Sequence, residues 1–206
     1  MKLLVVTAVA AERDAITAAC PALEVIIGGV GPAAAAAATA VALAKDDYDL
    51  VISAGIAGGF APLESGSIAV ASSIVFADLG AQTPTGFTPV SALGFGDERY
   101  DVAPKLGVEL ADRTGGHLGT ILTIATVTGT AERAEELLER HPDAVAEAME
   151  GAGVAAAGLA VGVPVAEVRA ISNIVGPRDR DAWRIPEALT ALGAALSAIA
   201  ESGPLS

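Results

Sequence analysis

Residues 146–186 read AEAMEGAGVAAAGLAVGVPVAEVRAISNIVGPRDRDAWRIP, and the rest of the chain is best understood from this stretch. Its first part is rich in Ala, Gly and Val and predicts a helix. On that helix Ala146, Gly153 and Val154 would share one face with a single carboxylate, Glu150. A buried carboxylate without a partner costs on the order of several kcal/mol. Glu150 is therefore expected to be paired or to meet a ligand.

The second part of the stretch predicts a central strand, because residues 163–174 form a short run rich in β-branched side chains. Alternation along this strand would direct Arg169, Ile171 and Asn173 to one face, with Ser172 on the other. Ligands of α/β sheets bind at the carboxyl ends of parallel strands. Polar residues at this end of the strand therefore indicate a binding site.

Composition and charge limit the possible functions. The 206 residues are most simply one domain, 1–206, whose core is built from Ala, Val, Leu and Ile, since aromatic residues make up only 3%. The net charge of −13 argues against partners such as nucleic acid or an anionic membrane surface. The single cysteine, Cys20, excludes an internal disulfide. The apolar start is too short to span a membrane and resembles no signal peptide, so a cytoplasmic protein is expected.

The remaining sequence alternates predicted strands and helices with short connections. This pattern predicts an α/β fold with a single-domain, mixed and mostly parallel central sheet flanked by helices. Residues 78–104 lack periodicity and predict a long functional or interfacial loop. The other predicted strands cover residues 2–9, 23–27, 49–54, 67–76 and 118–127, and the other predicted helices begin near residue 10 or cover 32–45, 104–113, 132–140 and 186–200.

Glu12 lies where the first predicted strand gives way to a helix. From position alone it is best explained as an acidic residue favoured by the helix dipole. Glycine-rich segments follow the next two strands, at residues 28–32 and 55–60, and such segments let backbone N–H groups approach a ligand. Neither contains a full G-x-G-x-x-G pattern, so they are weak evidence for dinucleotide binding.

The motif Met-Glu at residues 149–150, followed by RAISN at residues 169–173, resembles the purine nucleosidase and nucleoside phosphorylase superfamily. Methylthioadenosine/S-adenosylhomocysteine nucleosidases are similar by pattern but carry Asp where this chain has Asn173. Asn at this position, followed by IVGPRDR at residues 174–180 and by Trp183, is similar to the futalosine hydrolase family of the alternative menaquinone pathway.

This resemblance implies a catalytic arrangement around a small nucleoside. Glu12 would position and deprotonate a water molecule, with Arg169 orienting the carboxylate. Glu150 would accept hydrogen bonds from the ribose 2′- and 3′-hydroxyls, with Met149 packed against the sugar. Asn173 would face the base.

Further contacts follow from the same resemblance. Gly58 and Phe60 belong to the segment that borders the ribose and the nucleophile, and Thr128 belongs to the loop that touches the purine face. Ser172 and Arg169, both in the strand motif, are also expected to contact the substrate. Segments 28–32 and 55–66 contain no Arg or Lys, which favours water over phosphate as the nucleophile. The resemblance also implies a homodimer.

No cofactor or metal is expected. His117 and His141, the two histidines, have no partners at metal-ligand spacing. The family resemblance implies hydrolysis of the N-glycosidic bond of futalosine by side chains and water alone, releasing hypoxanthine. Alternatives within enzymes are a methylthioadenosine-type nucleosidase or a purine nucleoside phosphorylase. A nucleoside-binding regulatory module is the alternative from another class.

Two local features bear on substrate choice. A carboxamide such as that of Asn173 cannot transfer a proton but can donate and accept hydrogen bonds, which suits a 6-oxopurine, although capping a loop would also explain it. Arg178, Arg180 and Arg184 surround Trp183, the only tryptophan, in what is most simply a solvated loop. The alternative hypothesis is that one of these arginines pairs with the benzoate of futalosine while Trp183 covers a ring.

Overall fold

The computed structural model describes residues 1–177 and 179–203. Its strands are β1 Leu3–Thr7, β2 Glu24–Ile27, β3 Leu50–Gly59, β4 Ile68–Phe76, β5 Gly80–Thr83, β6 Gly86–Pro89, β7 Arg99–Asp101, β8 His117–Thr123, β9 Ala144–Ala148 and β10 Val165–Ile174. Its helices are α1 Ala10–Ala19, α2 Pro32–Leu43, α3 Pro104–Thr114, α4 Ala131–Arg140, α5 Gly151–Val161 and α6 Ile185–Glu201. The α/β class is therefore confirmed, while the assignment of residues 1–206 to one domain stays a prediction.

The main sheet is mixed and closes on itself through its longest strands. β3 pairs with β1 and β10 in parallel and with β9 in antiparallel orientation. β4 pairs with β8 in parallel and with β10 and β7 in antiparallel orientation, and β8 joins β9. Strands β3, β10, β4, β8 and β9 thus form a ring, from which β1 and β2 extend at one side. The 10-residue β3 makes this ring possible, because it pairs with β1 near its start, with β9 near its end and with β10 along most of its length.

Helices cover the sheet in two groups. α2 packs on α5, and α1 packs on α6, which also contacts α3 and the strands β10 and β3. The contact between α2 and α5 depends on glycine, since a Cβ on Gly153 would lie 2.0 Å from the carbonyl oxygen of Pro32. The main core cluster contains fully buried aliphatic residues from both layers, including Ile16, Ile52 and Leu192.

The prediction that a helix begins near residue 146 is wrong. Residues Ala144–Ala148 form β9, and α5 begins only at Gly151, with Glu150 as its N-cap residue. Ala-rich sequence favours a helix, but β9 is paired on both sides by β8 and β3. Tertiary pairing therefore overrides the local preference.

Two further segments differ from the prediction. Residues 55–59 continue strand β3 instead of forming a glycine loop, because they pair with β10 and, at Gly58 and Gly59, with β9. Residues 78–104 contain the β5–β6 hairpin and the short strand β7, so they are not one irregular loop.

Candidate active site

A cavity of about 350 Å³ opens where the carboxyl ends of β1, β3, β8 and β10 meet the start of α5. This volume is within the range of small-molecule sites, roughly 300–1,000 Å³. Its walls combine apolar side chains with a few polar groups from distant parts of the chain. The residues predicted for the site that line this cavity are Glu12, Gly58, Thr128, Met149, Glu150, Ser172, Asn173 and Trp183.

Glu12 is held by backbone N–H groups in the first turn of α1. One carboxylate oxygen accepts hydrogen bonds from the N–H groups of Ala8, at 2.9 Å, and Val9, at 3.2 Å. The other oxygen accepts a hydrogen bond from the N–H of Ile56 on β3, at 2.9 Å. The side chain is buried, so these three donors fix a negatively charged acceptor at one wall of the cavity.

Glu150 is oriented from two directions at the N-terminus of α5. Its Oε1 accepts a hydrogen bond from the N–H of Gly31, at 3.2 Å, and its Oε2 lies 3.2 Å from Nη2 of Arg169. Gly31 has φ of +90°, a conformation that disfavours residues with a side chain. The sequence expectation that Glu150 needs a partner is met by the guanidinium of Arg169.

Arg169 lies behind the cavity wall and is 1% exposed. Its Nε donates to Glu167 at 2.8 Å, and its Nη2 donates to the hydroxyl of Ser53 at 3.0 Å. Arg169 was predicted to bind substrate and to orient Glu12, but it does not line the cavity, and its side chain is enclosed by Glu167 and Glu150. It acts instead as a positive centre that holds the carboxylate of Glu150 in place.

The charges in this buried cluster shift each other's proton affinity. Burial lowers the pKa of Arg169, but the carboxylates of Glu167 and Glu150 outweigh that effect, so the net pKa is raised. Burial raises the pKa of Glu167 to about 7, although the adjacent guanidinium opposes this change. One oxygen of Glu167, Oε2, is buried without a hydrogen-bond partner, which is consistent with a carboxyl group that holds a proton readily.

Gly55 lies between Glu12 and Arg169, and its lack of a side chain leaves room for both groups. A Cβ at this position would lie 2.5 Å from Oε1 of Glu12 and 2.6 Å from Nη1 of Arg169. The negative carboxylate and the positive guanidinium therefore approach each other across the backbone of β3. Any larger residue would force one of them to move.

Asn173 and Ser172 both reach the cavity because β10 is irregular at its end. The pairing register with β3 shifts between Ile171 and Asn173, so the simple alternation predicted from sequence breaks at Ser172. The hydroxyl of Ser172 lies 2.8 Å from Oδ1 of Asn173 and donates to it. Nδ2 of Asn173 donates to the carbonyl of Ile174 at 3.1 Å, and the amide faces the cavity wall formed by Gly58.

Glu147 lines the cavity but was missed by sequence reasoning. It precedes Glu150 by three residues, and the predicted helix concealed that it belongs to a strand. The signal present in the sequence is the alternation in AVAEA, which places one acid in a run of small residues. Burial raises the pKa of Glu147, while hydrogen bonds from Thr128 lower it, and the net shift is upward.

Phe60 does not line the cavity. It follows the last residue of β3, is 2% exposed and packs in a hydrophobic cluster with Leu122, Ile124 and Val75. The prediction that it contacts substrate assumed a loop after residue 54, whereas the continued strand turns this ring into the core. Phe60 therefore packs in the same hydrophobic cluster as Ile124 and Val175, which line the cavity.

The rim of the cavity includes Trp183, which follows a short 3₁₀ turn at Arg180–Ala182. The guanidinium of Arg180 lies 5.8 Å from the centroid of the Trp183 ring. The N–H of Arg184 donates to the carbonyl of Ser172 at 2.8 Å and attaches this segment to β10. Arg178, predicted to bind substrate, lies outside the described residues.

Within residues 1–177 and 179–203, no group of three or more His, Cys, Asp and Glu side chains is arranged to hold a metal ion. In the same part of the chain, every helix is too short or too polar to cross a bilayer.

Comparisons with known proteins agree with this geometry. The model of the phosphorylase superfamily matches residues 10–201. Futalosine hydrolase of Streptomyces coelicolor is 53% identical over 97% of this chain and 95% of that protein, and futalosine hydrolase of Thermus thermophilus is 39% identical over 85% and 80%. The crystal structure of methylthioadenosine/S-adenosylhomocysteine nucleosidase from Neisseria meningitidis shares the fold, with a TM-score of 0.85 and 19% identity over 98% of this chain and 99% of that one. The chain therefore belongs to the phosphorylase superfamily and, within it, to the futalosine hydrolase family.

Proposed function

We propose that this protein hydrolyses the N-glycosidic bond of futalosine and releases hypoxanthine. The observation that carries the proposal is the convergence of Glu12, Glu150 and Asn173, which are distant in sequence, on one cavity. Relatives named as futalosine hydrolases at 53% and 39% identity support the same substrate.

Three chemical tasks of glycoside hydrolysis match these three side chains. The sugar carbon becomes cationic as the bond breaks, so carboxylates near it lower the barrier electrostatically. Glu150, fixed by Arg169 and Gly31, is placed to accept hydrogen bonds from ribose hydroxyls. Glu12, fixed by three N–H groups, is placed to take a proton from the attacking water.

The leaving purine becomes anionic and needs hydrogen-bond donors rather than a further acid. The amide of Asn173 has its Oδ1 bonded by Ser172, so its N–H₂ group is oriented as the donor toward the cavity wall at Gly58. A carboxamide offers a hydrogen bond but no transferable proton. This property supports a 6-oxopurine, whose N7 and O6 are acceptors, over the 6-aminopurine of methylthioadenosine.

Water is the nucleophile in this proposal. Among the described residues that line the cavity, none is Arg or Lys. A bound phosphate carries roughly two negative charges at neutral pH, and it would lie beside the buried carboxylates of Glu12 and Glu150. The charge balance of the site therefore favours hydrolysis over phosphorolysis.

The rim at Trp183 provides the place for the benzoate end of futalosine. Trp183 and Pro177 line the cavity, and the guanidinium of Arg180 lies over the indole ring. A guanidinium at this rim suits an aromatic carboxylate, because the two can form a charge-assisted pair. Arg178 belongs to the same proposal by sequence only. The homodimer stays a prediction from the family resemblance, and the cytoplasmic location stays a prediction from the sequence.

The test is chromatographic measurement of base release from futalosine, inosine and methylthioadenosine, each with and without phosphate. We expect hypoxanthine from futalosine at the highest kcat/KM, with no dependence on phosphate. The Glu12→Gln variant should lose about 10²- to 10⁴-fold in kcat, because Gln keeps the shape but cannot act as the base. Phosphate-dependent release would indicate a phosphorylase, and a bound but unreacted nucleoside would indicate a binding module.

A further inference from the structure

Glu147 is a buried acid of the cavity wall to which the proposed mechanism gives no role. Its side chain is 6% exposed, and its two carboxylate oxygens accept hydrogen bonds from Thr128, one from the backbone N–H at 3.0 Å and one from the hydroxyl. Thr128 and Glu147 both line the cavity. Each oxygen keeps a second lone pair, so the carboxylate can accept a further donor from a ligand.

The sheet places Glu147 opposite Asn173. Gly58 on β3 is the register partner of Glu147 on β9 and also of Asn173 on β10. Neighbouring strands lie about 4.8 Å apart, so the two backbones flank Gly58 at a separation of roughly 10 Å. Residues in register point to the same face of a sheet. Gly58 adds no side chain of its own; a Cβ there would lie 2.7 Å from Cγ2 of Val175, which also lines the cavity, and 3.5 Å from Nδ2 of Asn173.

This pair also lies at a different position along β3 from Glu12, the residue proposed to activate the water. Ile56, whose N–H binds Glu12, precedes Gly58 by two residues. Two residues of a strand span roughly 6.6 Å. The acid and the amide beside Gly58 are therefore offset along β3 from the backbone group that binds Glu12, and we place the base of a bound nucleoside on their side of the cavity.

Building on the proposed function, we propose that Glu147 is a specificity-determining residue whose carboxylate accepts the N1–H of a 6-oxopurine. Asn173 would engage the N7 and O6 side of the same ring from across Gly58. A 6-aminopurine presents a lone pair at N1 instead of N–H. Facing the carboxylate, that lone pair would leave two buried acceptors opposed without a donor, which carries a desolvation cost.

The test is a comparison of futalosine with its 6-amino counterpart, which carries the same sugar and 5′ substituent. In the unaltered protein we expect kcat/KM to favour futalosine by more than tenfold. Glu147→Gln can keep both contacts with Thr128, by accepting from its backbone N–H and donating to its hydroxyl, but it replaces one acceptor oxygen with an N–H₂ group. It should lower the futalosine preference about tenfold or more. Glu132→Gln, an exposed carboxylate on α4, is the matched control and should leave the preference unchanged.

A preference that stays within twofold of the original value in Glu147→Gln would overturn the inference. Where that variant does not fold, Thr128→Val replaces it, since it removes one donor and leaves the acid in place. An unchanged preference in Thr128→Val would likewise count against the inference, and a reduced one would support it.

Binding of free hypoxanthine and adenine, measured by calorimetry, separates failure of this inference from failure of the proposed function. If the protein hydrolyses futalosine but Glu147→Gln binds the two bases with the original ratio, the inference alone is wrong. If the protein releases no hypoxanthine from futalosine but loses its selectivity for hypoxanthine in Glu147→Gln, the assigned substrate is wrong and the role of Glu147 stands.

Discussion

Replacement of Gly55 by Ala tests whether the close approach of Glu12 and Arg169 matters for activity. The added Cβ would lie 2.5 Å from Oε1 of Glu12, whereas ordinary contact begins at about 3.4 Å. The carboxylate would therefore have to retreat by roughly 3.4 − 2.5 = 0.9 Å. It cannot do so freely, because the N–H of Ile56 on the next residue of the same strand holds that oxygen. The guanidinium of Arg169, at 2.6 Å from the Cβ, is enclosed as well.

A misplacement of about 1 Å in a catalytic group costs roughly 10²-fold in rate. We therefore expect Gly55→Ala to lower kcat for hypoxanthine release by about tenfold to a hundredfold. Overpacking of this kind also destabilises by about 1–3 kcal/mol, which for a chain of this size lowers the melting temperature by several degrees. The assays are steady-state hypoxanthine release and thermal unfolding followed by circular dichroism.

Gly129→Ala is the matched control for this prediction. Gly129 is exposed, has no heavy atom within 4 Å of an added Cβ and does not adopt positive φ. Its variant should keep kcat within about twofold, since exposed substitutions are usually near neutral. If Gly55→Ala matched this control in both kcat and melting temperature, the role assigned to the contact between β3, Glu12 and Arg169 would be refuted.

Two other predictions concern the buried acid and the amide. The pKa of Glu167 is about 7 in the folded protein, above its ordinary value of 4.5. The protonated carboxyl group therefore stabilises the fold, fully below about pH 4.5, and this contribution is lost as the pH rises through 7. Glu167→Gln should remove up to about 3 kcal/mol of this pH dependence, measured by urea unfolding at pH 5 and pH 8; equal pH dependence in both proteins would contradict the assignment. Asn173→Asp should shift kcat/KM toward methylthioadenosine relative to futalosine by about tenfold or more, because a carboxyl group can transfer a proton to N7. Side-by-side measurement of adenine and hypoxanthine release checks this, and an unchanged ratio would show that the residue does not contact the base.

The sequence was most informative where residue pattern and family motif agreed. The strand that contains RAISN and the position of Glu12 after β1 were both predicted. Glu12 and Asn173, the last residue of that motif, both line the cavity. For Glu12, position alone favoured a helix-dipole explanation, and only the resemblance indicated a catalytic acid. A local pattern cannot report that Ile56, 44 residues away, supplies one of its hydrogen bonds.

The errors have a common physical origin in pairing between distant strands. Glu147 was missed because Ala-rich sequence predicts a helix, whereas β9 is stabilised by partners on both sides. Phe60 was misplaced because a stretch with three glycines in five residues looks like a loop but forms the continuation of β3. Arg169 was assigned to the substrate because a sequence cannot show that a side chain is enclosed by Glu167 and Glu150.

Strand β3 contacts or pairs with several of the groups that form this site. Gly55 faces Glu12 and Arg169, Ile56 holds Glu12, and Gly58 pairs with both Glu147 and Asn173. Inserting a single residue among them would turn the following side chains to the other face of the sheet. Enzymes built on this strand can therefore acquire new base preferences most readily by exchanging residues on β9 and β10, while the spacing along β3 must be inherited intact.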